Sequence, residues 1–195
     1  MIFGIWHNED FPIAGNYLES WRLHNPKEEC KIFTFAELEA VMREHYPDLL
    51  EYYDSCPWLV QKANLLRLVA IHHFGGLYLD LDMQCLRPFG HYLEFELLLG
   101  WYGDSQKMIC NAILGAREPG HPFWKRCMTL AQEMPIARKP SDAIMAHLMT
   151  KWAKDEGLLH YAQPRKVFFG RIGDGHETIT HHLSSKPRWM TNPKV

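Results

Sequence analysis

The sequence predicts an α/β domain, helices flanking a mostly parallel central sheet, from three observations. Short apolar runs alternate with stretches of helical period along the first half of the chain. One such stretch, from Leu59 to Ile71, leaves so little polar surface that a helix there must be covered on nearly every side. It passes through Gly75-Gly76, a helix stop, directly into the strand-like Leu77-Tyr78-Leu79. At 195 residues, 47% hydrophobic and 13% aromatic, the chain fits one domain over residues 1–195, whole or part of a longer protein.

In chain order, Met1–Trp6 reads as a buried first strand and His7–Pro12 as the loop leaving it. Asn16–His24 has helical spacing, with Tyr17, Leu18, Trp21 and Arg22 marking the turns. Lys31–Thr34 reads as a second strand. Thr34 followed by Glu37 is a capping-box signature for a helix to about His45. Glu44–Asp54 reads as a helix begun by Pro47, and Pro57 precedes the central helix. Beyond that helix, Glu96–Trp101 and Met108–Gly115 read as interior strands. Pro122–Glu133 and Ser141–Asp155 read as helices, the latter N-capped by Ser141, and Val167–Phe169 as a last strand.

The chemistry concentrates where the central helix meets the strand after it. Within Leu77–Asp82 a side-chain period of two puts Tyr78, Asp80 and Asp82 on one face, so both carboxylates are expected to project together. Two acids aimed at one small volume repel unless a cation or proton sits between them. Oxygen donors of this kind suit Mg2+ or Mn2+, which also bind phosphate oxygens. On the helix, Asn64 and Arg67 are three residues apart and share a face. Taken alone, Asp-Leu-Asp also reads as a solvated strand end, and Trp6 as a core residue.

The run from Ala63 to Met83, Ala-Asn-Leu-Leu-Arg-Leu-Val-Ala-Ile-His-His-Phe-Gly-Gly-Leu-Tyr-Leu-Asp-Leu-Asp-Met, resembles the signature of the DxD glycosyltransferases of family 32 and of the large glucosylating toxins. The resemblance implies a GT-A fold and a nucleotide-sugar donor, with a UDP-sugar favoured over a GDP-sugar. It also implies Mn2+ or Mg2+ as cofactor, a carbohydrate or protein hydroxyl as acceptor, and retention of anomeric configuration. Asp82 would be a direct metal ligand, Asp80 would be shared between ribose and metal, and Arg67 would hold the nucleotide side. Trp6 would stack on the base and Asn111, ahead of Glu118–Phe123, would face the donor sugar. The segment His181-His182 to Trp189 resembles the family's closing element over the diphosphate, with His182 completing the metal shell. Asn64 stands where the family pattern has aspartate, keeping a carbonyl but losing the charge. Arg138–Asp142 departs from the family's Gly-Pro element. Asp80 and Asp82 are the catalytic pair the resemblance implies, and Asp142 reads either as a catalytic residue near the reacting centre or as a first-turn acid on a helix. An inverting enzyme would need one base, for which Asp142, Asp174 and Glu177 are candidates.

Composition removes several classes. Net charge is −2, from 21 basic and 23 acidic residues, with no basic run, which argues against nucleic acid as a partner. The five widely spaced cysteines form no C-x-x-C pair and read as reduced. No apolar run approaches 18 residues and no leader pattern opens the chain, so the expectation is a cytoplasmic monomer without a transmembrane segment. There is neither a Walker A loop nor a G-x-G-x-x-G turn. His72-His73 reads as structural. Two alternatives stay open: a nucleotidyltransferase or sugar-nucleotide hydrolase, and a non-catalytic nucleotide-sugar or carbohydrate-binding module.

Overall fold

The computed structural model describes residues 1–10, 14–102, 105–138, 145–169 and 178–182. β1 (Ile2–Trp6) is followed by α1 (Ala14–His24), β2 (Cys30–Thr34) and α2 (Phe35–His45). The capping box that starts α2 is present: Thr34 Oγ1 accepts from the Glu37 amide, and Glu37 Oε2 accepts from the Thr34 amide. A 3-10 turn at Pro47–Leu49 and the short α3 (Leu50–Ser55) lead to α4 (Leu59–Phe74). Then come β3 (Gly76–Leu79), β4 (Met83–Cys85), a 3-10 turn at Gly90–Glu94, β5 (Leu98–Trp101), β6 (Ile109–Ala116) and α5 (Pro122–Gln132). α6 (Ala146–Asp155), a 3-10 turn at Leu158–Tyr161, β7 (Ala162–Gln163), α7 (Arg165–Phe168) and β8 (Thr180–His182) complete the described elements.

Six strands form one sheet in the order β2-β1-β3-β6-β5-β7. β1 runs parallel to both β2 and β3, and β5 parallel to β7, while β6 pairs antiparallel with β3 and β5. The sheet is therefore mixed, with a parallel majority at the end that carries the first strands. β4 and β8 make a separate antiparallel pair.

Alternation along the strands splits the core between the two faces. Phe3, Ile5, Tyr78, Leu99 and Leu114 face α2, α4, α5 and α6, whereas Ile2, Leu77, Leu79, Leu98 and Ile113 face Trp21 of α1 and the Phe89–Phe168 side. Helix α4 is buried nearly all round, as its composition requires, and even its Gln61, Asn64 and Arg67 are inside. Gly75 and Gly76 both take positive φ, 67° and 85°, so the chain reverses abruptly out of α4. At Gly76 a Cβ would lie 2.6 Å from the Met1 carbonyl oxygen, which lets β3 start tight against β1.

Several expectations need correction. The strand after Gly75-Gly76 stops at Leu79, and Asp80–Asp82 form a turn closed by the Met83 amide on the Asp80 carbonyl at 3.0 Å. Strand alternation therefore does not aim the two carboxylates; the turn does. Val167–Phe169 lies in and just after the helical turn α7, because Pro164 starts that turn and its carbonyl accepts from the Val167 amide. An apolar triplet satisfies a buried turn as readily as a strand. The Glu44–Asp54 segment is two pieces, a 3-10 turn from Pro47 and α3, separate from the end of α2. Strands β4, β7 and β8 are too short to leave a periodic signal. Ser141 lies outside the described residues, and α6 is described from Ala146. Among the described residues no helix is long and apolar enough to cross a membrane.

The histidine pair ending α4 packs on the C-terminal end of α2. Tyr46 Oη and His72 Nδ1 are 2.7 Å apart, and the His45 and His73 rings are 4.6 Å apart. Burial lowers the pKa of both His72 and His73 below the usual 6.5; Lys125 and His121 add to this at His72, and His45 at His73, where Glu44 opposes it. A histidine held neutral by folding costs stability once the unfolded chain takes up protons. The loss begins as pH falls through 6.5 and levels off below the folded-state values. Urea unfolding midpoints should accordingly fall between about pH 7.5 and about pH 5.5. His72→Gln should flatten that slope; an unchanged slope would assign the loss to other groups.

Candidate active site

The direction of strand addition reverses between β1 and β3. From β1 the chain moves outward through α1 to β2, then crosses back over β1 to place β3 on its other side. At such a reversal the loops leaving two parallel strands diverge, and a crevice opens outside their carboxyl ends. Trp6 closes β1 at that end and Asp80 follows β3 there. Trp6 is partly exposed, with its ring 4.9 Å from that of His7.

Asp80 is held by three elements. Its amide donates to the Ala112 carbonyl of β6 at 2.9 Å. Oδ1 accepts from the hydroxyl of Tyr78, two residues earlier in the chain, and lies 3.3 Å from Arg67 Nη1 on α4. The Arg67 guanidinium also donates to the Asn111 carbonyl and lies 4.7 Å above the Tyr78 ring. Asn111 in turn donates from Nδ2 to Asn64 Oδ1 at 3.2 Å. Burial pushes the Tyr78 phenol well above its usual pKa, against the pull of Arg67 and with help from Asp80, so it stays a hydrogen-bond donor. Arg67 has 7% of its side chain exposed and Asp80 has 25%, so the ion pair has an inner cationic end and an outer anionic one.

A second set of contacts fixes the turn from its far side. Trp21, fully buried on α1, donates from Nε1 to the Met83 carbonyl at 2.7 Å, and Ser20 Oγ accepts from the Cys85 amide at 3.0 Å. Leu81, between the two acids, fills a notch over Gly4 of β1: a Cβ there would lie 2.3 Å from Leu81 Cδ2, 3.2 Å from the Leu79 carbonyl oxygen and 3.2 Å from the Trp21 ring. β4 continues the turn and pairs with β8 so that His182 lies opposite Met83, one residue beyond Asp82.

Comparison with known proteins agrees with this geometry. A family profile described as "Glycosyltransferase sugar-binding region containing DXD motif" matches residues 14–99, which include α4, β3 and the Asp80–Asp82 turn. Residues 14–99, under half of the chain, are thus similar to a DXD glycosyltransferase sugar-binding region. "Inositol phosphoceramide mannosyltransferase 3" of Schizosaccharomyces pombe is 31% identical over 100 residues, 51% of this chain and 27% of that protein. "Inositol phosphoceramide mannosyltransferase 1" of the same yeast is 29% identical over 127 residues, 63% of this chain and 39% of that protein. The chain thus spans well under half the length of these relatives. Among solved structures, "PaToxG Glycosyltransferase" superposes with a TM-score of 0.56 at 14% identity, over 80% of this chain and 67% of that one, which shows a shared fold.

Of the residues expected at the site, the structure brings Asn64, Arg67, Asp80 and Asn111 into one connected network, with Asp82 in the adjoining turn and Trp6 at the neighbouring strand end. Arg67 is committed to Asp80 and the Asn111 carbonyl within the DXD network. His181 and His182 are placed by the backbone of β8 alone, since their side chains lie outside the described set. Asp142, Asp174, Glu177 and Trp189 also lie outside the described residues. Tyr78 was placed on the face of Asp80 and Asp82 from sequence but given no role; its place two residues before Asp80 carried the signal. Gly4 and Trp21 gave none, because their contacts span about 60 or more residues of chain or connect separate strands.

Asp80 and Asp82, both partly exposed, offer hard oxygen donors, and that chemistry fits Mg2+ or Mn2+. Among the described residues no group of three or more His, Cys, Asp or Glu converges as a ready-made cation site. Two carboxylates with substrate phosphates is an ordinary arrangement for Mg2+, which seldom takes an all-protein cage. Replacing Arg67 with methionine should strand Asp80 and the Asn111 carbonyl, at a cost of up to about 3 kcal/mol, the low end for a broken buried pair because Asp80 keeps solvent contact. Arg67→Met/Asp80→Asn should recover part of that loss in urea unfolding. Equal stability of the single and double variants would show that the pair is not coupled.

Proposed function

We propose that this chain is the donor-binding part of a metal-dependent glycosyltransferase that takes a nucleotide-diphosphate sugar. The observation that carries the reading is the Asp80-Leu81-Asp82 turn at the carboxyl ends of β1 and β3, with Asp80 tied to Arg67 and Tyr78. The reaction breaks the bond between the anomeric carbon and the diphosphate oxygen and forms one to an acceptor hydroxyl, whose proton passes to a base. A divalent cation bound by Asp80 and Asp82, with His182 as a further ligand, would neutralise charge on the departing diphosphate. Trp6, partly exposed at the end of β1, would stack on the base, and Asn111 would face the donor sugar. Asp142 is a catalytic candidate by position in the sequence, and Asp174 and Glu177 are further candidates for the base. His181 and Trp189 would close over the diphosphate.

The relatives named as mannosyltransferases make mannosyl the first sugar to test. Their names also bring a phosphate-bearing lipid headgroup into the acceptor class beside glycan and protein hydroxyls. That choice of sugar puts GDP on an equal footing with UDP as the donor nucleoside, and binding decides between them.

Calorimetric titration of GDP- and UDP-sugars with and without Mn2+ is the direct test, followed by assay for release of the nucleoside diphosphate. One nucleotide should bind with a clear gain from metal, and Asp82→Asn should remove at least about tenfold of that gain while the fold is kept. Release of a monophosphate or pyrophosphate would favour a nucleotidyltransferase or sugar-nucleotide hydrolase instead. Binding indifferent to both metal and Asp82→Asn would overturn the reading.

A further inference from the structure

We infer that Gly4, Leu81 and Trp21 form a positioning device that sets the angle of the DXD carboxylates; this rests on the transferase reading above. None of the three bears a group that reacts with a sugar or a phosphate. Their importance lies in what they do to the backbone between Asp80 and Asp82.

The turn is short, and each acid is one residue from Leu81. Wherever the Leu81 side chain is seated therefore largely decides how the peptide planes on either side are rotated, and with them the two Cα–Cβ directions. The seat is a notch in β1 made by the missing side chain of Gly4. Its walls are the Leu79 carbonyl and the Trp21 ring, both 3.2 Å from where a Cβ at Gly4 would stand. Leu81 Cδ2, at 2.3 Å from that point, occupies the space itself. A flexible leucine end ordinarily yields to a new methyl at little cost. Here the same methyl also presses on a strand carbonyl and on a fully buried indole, so Leu81 has to leave the notch and the turn has to rotate.

Trp21 has a second part. Its Nε1–H holds the Met83 carbonyl at 2.7 Å, on the residue directly after Asp82. Together with the Asp80 amide on Ala112 at 2.9 Å, this pins the backbone on both sides of the DXD turn to different elements, α1 and β6. Leu81 in its notch fixes the middle. A loop tied at three points keeps its carboxylates in place before any ligand arrives, which lowers the reorganisation needed to bind one.

The test measures binding of GDP and UDP by calorimetry with and without Mn2+, alongside thermal unfolding, for wild type, Gly4→Ala, Gly4→Ala/Leu81→Ala and Trp21→Phe. Trp21→Phe keeps an aromatic ring and removes the N–H. In Gly4→Ala and Trp21→Phe the gain in affinity from metal should fall about tenfold or more, while metal-free affinity stays within about twofold. Removing the Leu81 side chain relieves the 2.3 Å clash but leaves the turn without its seated side chain, so Gly4→Ala/Leu81→Ala should regain thermal stability over Gly4→Ala while the gain from metal stays reduced. A purely structural role would lower the melting temperature and leave the metal gain intact, and that result would overturn the inference. So would full return of the metal gain in Gly4→Ala/Leu81→Ala, since the seated Leu81 side chain would then be dispensable. If Gly4→Ala does not fold, Trp21→Phe decides alone. A wild-type chain with no metal gain at all would sink the transferase reading, and the positioning device with it.

Discussion

A guanidinium buried beside a sheet must be neutralised where it stands, and the architecture around Arg67 follows from that requirement. Arg67 sits on the most buried of the described helices with 7% of its side chain exposed, so desolvation without a partner would cost several kcal/mol or more. Asp80 answers the charge, the Asn111 carbonyl takes a further N–H, and the Tyr78 ring covers the cation's face. These partners come from the end of β3 and from β6, so the ion pair works only if α4, β3 and β6 hold one mutual position. Gly75 and Gly76 supply the abrupt reversal that brings β3 back beneath the helix it has just left. An interaction that would be weak evidence for stability at a surface becomes here a constraint on geometry.

The ion pair also orients the site. Its cationic end is inside and its anionic end is partly exposed, so Asp80 is anchored from behind and open to solvent in front. Asp82 has a different support. It stands on the turn that Leu81 seats against Gly4 and that Trp21 holds through the Met83 carbonyl. Two acids in one tripeptide are thus fixed by separate parts of the protein, one by α4 and β6, the other by α1 and β1. A perturbation of either support would change the angle between the carboxylates without removing either one.

Much of this was legible in the sequence, and the limits are physical. The period of α4, the Thr34–Glu37 capping box and the Gly75-Gly76 break are local signals, and each element appeared where it was expected. Asn64, Arg67, Asp80 and Asn111 were each named as donor-site candidates through the resemblance, but the hydrogen bonds and ion pair that join them were not read from the sequence. What failed was the orientation argument. Alternation was carried three residues past the end of β3, to Asp82, although the backbone at Asp80 turns as soon as its amide has found Ala112. Val167–Phe169 failed because three apolar residues have no period. Gly4 and Trp21 could not be read at all, since a glycine's neighbours across a sheet and a tryptophan's partner 62 residues away leave no local trace.

The replacement at position 64 can be argued one step further on charge. α4 carries its buried polar side chains Gln61, Asn64 and Arg67 three apart, a single stripe through an otherwise apolar helix. Asn64 uses its carbonyl oxygen to accept from Asn111, which fixes the amide of a residue whose own carbonyl receives Arg67. An aspartate at 64 could accept the same bond, so the bond does not explain asparagine. The charge count does. Arg67, Asp80 and Asp82 sum to −1, and a carboxylate at 64, in a position with 2% exposure, would bring the cluster to −2 with the added charge far from water. With asparagine the excess negative charge rests on the partly exposed DXD acids, at the mouth of the site. There a cation and a diphosphate can offset it, and the helix interior is left neutral.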